Sequence, residues 1–153
     1  MTDRHDSRSA SAASTAQTPE QRRAADALRA VQELDADEAL RKRYRAYADR
    51  LGPSILMNGL GQALATERAA AGSKPKKTDE RAHDRLYQNL KAWLCRAGGV
   101  YEPTAGHDGD LLKSIVEHDE ADYLRAQAEA LAWLVWHKKF CRAYLPPADD
   151  GEV

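Results

Sequence analysis

Phenylalanine occurs once in the 153 residues, cysteine and methionine twice each. No apolar run approaches the length needed to cross a bilayer, and no apolar leader segment stands at the start. These absences predict a soluble, cytoplasmic protein. Cys95 and Cys141 are far apart, without a C-x-x-C partner, so neither a zinc site nor a redox motif is indicated. Both read as small core residues. Gly-x-Ser-x-Gly, Walker A and H-E-x-x-H patterns are missing, and no nucleophile has an evident base beside it. No cofactor is implied.

β-branched residues are also few, while Leu, Ala, Glu, Arg and Lys are abundant, the usage of helices. The length suits one core. The expected fold is all-α, a compact single-domain bundle of about five to six helices. Residues 1–18 are polar and small and predict a disordered tail, 19–146 the helical domain, and 147–153 an acidic C-terminal tail.

Thr18 and Pro19 supply a start for the first helix, which continues through Ala24, Leu28, Val31 and Leu34. A second follows Asp37, with Leu40, Tyr44, Tyr47 and Leu51 at helical spacing. The sequence LGPS predicts a break, after which Leu56, Leu60, Ala63 and Leu64 form the inward face of a third helix. Thr78 is placed to cap a fourth, with Leu86, Leu90, Trp93, Leu94 and Ala97 on one side. A glycine-rich connection follows, with an extended piece at Val100 and Tyr101, then a short helix over 110–117. The last helix, 120–144, carries two apolar stripes, Leu124–Ala128–Leu131–Val135 and Trp133–Trp136–Phe140–Tyr144. Such girth predicts a central helix contacted on several sides.

The glycines of NGLGQALA, Gly59 and Gly61, loosely resemble a dinucleotide-binding loop. That chemistry needs a buried strand before the glycines, because the phosphates sit at a helix start. Here a charged helical segment precedes them and they fall within the third helix, so close approach of another backbone is the expected reason for them.

His-Asp pairs occur at His5-Asp6, His83-Asp84, His107-Asp108 and His118-Asp119. A phosphohydrolase of the HD type would use His83, His107, Asp108 and Asp122 to hold metal ions that activate water. The pairs fall instead where capping and surface roles are expected, with Asp119 at a helix start.

Charge is distributed unevenly. The net charge is only -1, yet one region is rich in Lys and Arg and the segment from Glu102 to Glu129 is acidic. The basic set comprises Arg41, Lys42, Arg43 and Arg45 on the second helix, Lys74, Lys76 and Lys77 in the KPKK loop, Arg81, Arg85, Lys91 and Arg96 on the fourth helix, and Lys138, Lys139 and Arg142 near the end. Solubility alone would account for such a face. A surface that follows a nucleic-acid backbone by charge and shape, without reading bases, would also look like this.

Several segments together resemble the small subunit of the type III-B CRISPR-Cas effector, the Cmr complex. In YRAYADRLGPSILMNGLGQALA the matching positions are Tyr44, Ile55, Asn58, Gly59, Leu60, Gln62, Ala63 and Leu64. LYQNLKAWLC matches through Leu86, Leu90, Trp93 and Leu94. The segment from Asp110 to Leu145 matches through residues including Tyr123, Glu129, Trp133, Trp136, Lys138 and Phe140. The family often has proline at the position of Gly52 and an aromatic at Thr66, and the polar N-terminal tail is outside its pattern. The resemblance implies a helical subunit without catalytic activity, stacked in a minor filament. Its partners would be the backbone ribonuclease subunit, other Cmr subunits, further copies of itself, and crRNA with its target RNA. A small metal phosphohydrolase and a helical adaptor are the alternatives.

Overall fold

The computed structural model describes residues 16–104 and 109–149. Residues 1–15 of the tail expected over 1–18, the pairs His5-Asp6 and His107-Asp108, and the end of the acidic tail lie outside the described residues. Six helices form among the described residues: α1 Pro19–Gln32, α2 Glu38–Asn58, α3 Leu60–Ala71, α4 Thr78–Leu94, α5 Leu111–Glu117 and α6 Glu120–Tyr144.

Local chemistry sets several boundaries. Thr18 caps α1 reciprocally with Gln21: the Gln21 amide donates to Thr18 Oγ1 at 3.1 Å, and the Thr18 amide to Gln21 Oε1 at 2.8 Å. Asp37 caps α2 through the Ala39 amide and Asp119 caps α6 through the Asp122 amide. For α4 the cap position falls on Lys77, one residue before the expected Thr78. Glu80 reaches back there to accept from the Lys77 amide at 2.9 Å.

Helix α2 packs on α3, α4 and α6, so it holds the middle of the bundle. Its buried stripe is Leu40, Tyr44, Ala48, Leu51 and Ile55. Helix α1 lies along α6 and α5 rests on α3. As expected, α6 is contacted from several sides, by α1, α2, α3 and α4, yet part of its girth stays open. Its face of Ala126, Ala130, Trp133, His137 and Cys141 is buried, but Leu124 and Val135 are 57% and 54% exposed. Val100 and Tyr101 sit in a turn, not an extended piece, with the Tyr101 amide donating to Leu94 O.

The predicted break at LGPS does not occur. Helix α2 continues through Gly52 and Pro53, because Leu51 and Ile55 both reach the core and their burial outweighs the backbone bond that proline forfeits. Leu56 consequently faces solvent, 72% exposed, and not the interior. The chain breaks instead at Gly59, whose φ of 85° is a conformation that glycine adopts freely. A Cβ there would lie 2.8 Å from the Tyr123 hydroxyl. The close neighbour of NGLG is therefore a side chain of α6, not another backbone. Gly59→Ala should lower stability by about 2 kcal/mol, from left-handed strain and displacement of Tyr123. Urea unfolding of the two chains measures it.

A buried polar chain ties four helices together. Asn89 of α4 donates to the Tyr44 hydroxyl of α2 at 2.8 Å. That hydroxyl lies 2.5 Å from His137 Nε2 of α6, and His137 Nδ1 lies 3.0 Å from Ala27 O of α1. All three side chains are essentially inaccessible. One proton arrangement satisfies every group: Tyr44 donates to Nε2, and Nδ1–H donates to Ala27.

Candidate nucleic-acid interface

The fourteen cationic side chains singled out from the sequence do not form one continuous free surface. Those of α2 largely bind the end of the chain. Arg45 donates to Leu145 O at 3.0 Å, Arg41 to Tyr144 O at 3.4 Å, and Lys42 pairs with Asp149 at 3.1 Å. Arg43 lies beside Lys42 and Asp149, lining a recess with them. These residues fasten the segment after α6 onto the bundle, although each guanidinium keeps donors to spare.

A second group gathers round the start of α4. Pro75 of the KPKK loop, Arg81, Asp84 and Arg85 line a cleft of about 250 Å³ with Leu34 and Asp35 from the α1–α2 turn and Leu40 of α2. Arg81 is committed there to Asp35, at 2.9 Å, and Asp37, at 3.8 Å. Lys74, Lys76, Lys77 and Arg85 are exposed and make no side-chain ion pair among the described residues. This loop and the adjoining turn of α4 hold the densest group of the set without side-chain ion pairs, beside a Glu80 carboxylate that accepts from the Lys76 and Lys77 amides at 3.4 and 2.9 Å.

The remaining residues lie elsewhere. Lys138 borders a groove between α2 and α6, Arg142 approaches Asp49 at 3.4 Å, and Lys139 is exposed. Lys91 stands on α4 one turn before its end. Arg96, beyond the end of α4, lies flat on Trp93, 3.4 Å from the ring centroid, and donates to Trp93 O. Burial holds its pKa below the ordinary arginine value, despite the nearby Glu129 and Asp26. It shares a recess with Arg23 and Arg125, neither in the predicted set. Arg23 is tied to Glu129 at 2.8 Å and to Glu20 at 2.6 Å.

A further surface column was not read from the sequence. Arg50 lies 5.0 Å from the Tyr47 ring centroid, Tyr47 stacks on His83 at 3.7 Å, and His83 Nδ1 meets Glu67 Oε2 at 2.6 Å. The three-residue spacing of Tyr47 and Arg50 is the only local signal for it. His83 is thus engaged in stacking and an acid partner, and among the described residues no three His, Cys, Asp or Glu side chains converge as metal ligands. His118 Nδ1 contacts Ser114 O, and Asp122 pairs with Arg125.

NGLG does not present a free helix start to a ligand. The Leu60 amide donates to Gln127 Oε1 at 3.0 Å and the Gly61 amide to the Tyr123 hydroxyl at 3.1 Å. The donors a phosphate would use at the head of α3 are taken by α6.

Many residues that carry the family resemblance prove to be structural. Tyr44 centres the buried polar chain, Gly59 forms the α2–α3 junction, Tyr123 caps α3, and Trp133 fills the core. No helix among the described residues is long and apolar enough to cross a membrane. A family model described as "CRISPR-associated protein (Cas_Cmr5)" matches residues 19–144, from the start of α1 to the end of α6. The chain belongs to this family and is a CRISPR-associated Cmr subunit.

Proposed function

We propose that the chain is a non-catalytic structural subunit of the type III-B effector, residues 19–146 forming one helical domain that stacks as the minor filament beside the backbone ribonuclease subunit. It works in the cytoplasm, in antiviral defence, and touches the backbone of guide and target RNA without reading sequence. The observation that supports this reading is the exposure of Lys74, Lys76, Lys77 and Arg85 at the start of α4, none of them in an ion pair among the described residues. Flexible lysines on a loop suit phosphate contact, which needs charge and reach but no fixed donor geometry. Lys91, Lys138 and Lys139 extend the contact, and Arg41, Lys42, Arg43, Arg45, Arg81, Arg96 and Arg142 contribute through donors left over from their internal bonds. The acidic stretch beyond Glu102 faces basic surfaces of neighbouring subunits.

Purification of the tagged chain from its host, with sequencing of the bound RNA, tests the reading. Guide RNA and a repeating backbone subunit are expected. A purified chain that carries other Cmr subunits but loses no RNA on reversal of its basic loop would leave it an adaptor.

A further inference from the structure

Helix α6 is the longest of the six, and the face it turns away from the bundle is apolar where a surface helix is ordinarily charged. Leu124, Ala128, Leu131 and Val135 recur there at four, three and four residues, Leu131 half-buried against the edge of the core and the other three exposed. Ala126, Ala130, Trp133 and His137 face the core on the opposite side. Leu56 of α2 borders the same stripe across a groove of about 380 Å³. Contiguous apolar surface of this kind on a folded chain marks an interface.

We propose that a second copy of this chain covers the stripe, its α6 running antiparallel to the first. The charges choose the direction. Glu120 stands at the start of the stripe, Lys138 at its end, five helical turns on and on the same side. Among the described residues neither side chain makes an ion pair within its own chain. A parallel pair would set Glu120 against the partner's Glu120 and Lys138 against the partner's Lys138. An antiparallel pair opposes Leu124 to the partner's Val135 and Ala128 to the partner's Leu131, and the same register brings Glu120 within one residue of the partner's Lys138, twice by symmetry. Ala128 lets the helices approach closely at the centre. The contact is isologous, so it closes at two copies and does not propagate. It needs no RNA and no other subunit, and stands apart from the function proposed above.

Sedimentation equilibrium of the full chain at about 100 µM and low salt tests it. A dimer is expected, reduced to monomer by Val135→Glu with the thermal midpoint kept, since the site is on the surface. Glu120→Lys alone and Lys138→Glu alone should each weaken the dimer about ten-fold or more. An equimolar mixture of these two variants should recover it, because the mixed pair restores both contacts. A monomeric wild-type chain, a dimer indifferent to Val135→Glu, or a mixture no tighter than either variant would overturn the proposal. A monomer whose Val135→Glu variant drops out of the effector would assign the stripe to another subunit instead.

Discussion

Replacing Trp133 with alanine should lower the unfolding free energy by about 4 kcal/mol, a large part of the ~10 kcal/mol ordinarily available to a domain of this size. The indole is completely buried, stacks on His137 with ring centroids 4.2 Å apart, and donates from Nε1 to Asp26 Oδ2 at 2.9 Å. Truncation opens a cavity between α1 and α6. The lost hydrogen bond is secondary, because Asp26 keeps Arg29 at 2.9 Å. Urea unfolding followed by circular dichroism measures the difference. A loss under about 1 kcal/mol would mean that the bundle collapses onto the gap and that the core is not organised around this residue.

Acid should destabilise the protein through His137. Burial depresses its pKa from 6.5 to about 4, against the opposing effects of the Ala27 carbonyl and Asp26. The unfolded imidazole gains its proton below about pH 6.5, the folded one only below about pH 4. Between those values the unfolded state binds more protons, so stability falls as the pH falls, by about 3 kcal/mol across the window. Above pH 6.5 this contribution is complete and constant. Burial is the main cause, and the geometry adds to it: a protonated Nε2 would aim a hydrogen at the Tyr44 hydroxyl and take away the acceptor of its O–H. Urea unfolding at several pH values should show the slope in the wild-type chain and its loss in His137→Gln. An equal slope in both would place the acid sensitivity elsewhere.

Helices with chemical punctuation were legible in the sequence. Thr18-Pro19-Glu20-Gln21 marks the start of α1, and both ends of α6 fall where its pattern and caps put them. The α2–α3 junction was not legible, because Gly52-Pro53 is the stronger local breaker and only the burial of Leu51 and Ile55 overrides it. Gly59, the true break, takes its meaning from Tyr123, some sixty residues on. Periodicity also overstated the core. It finds the Leu124–Val135 stripe but cannot distinguish a face turned to the bundle from one turned to a partner.

The basic residues were legible as charge and not as a surface. Nothing local reveals that Arg41 and Arg45 are directed to the carbonyls of Tyr144 and Leu145, about a hundred residues away, or that Arg81 answers Asp35 and Asp37. What distinguishes the KPKK loop is that its lysine side chains make no ion pair among the described residues, the nearby Glu80 being engaged by the Lys76 and Lys77 amides, a tertiary property.

Target-RNA binding by the reconstituted effector, measured against salt, tests the central claim most directly. With Lys74, Lys76, Lys77 and Arg85 all changed to glutamate, the slope of log affinity against log salt should fall by about 3, at ~0.7–0.9 per lost phosphate contact, with the complex still assembled. An assembled complex whose slope and affinity equal those of the wild type would contradict RNA contact by this face.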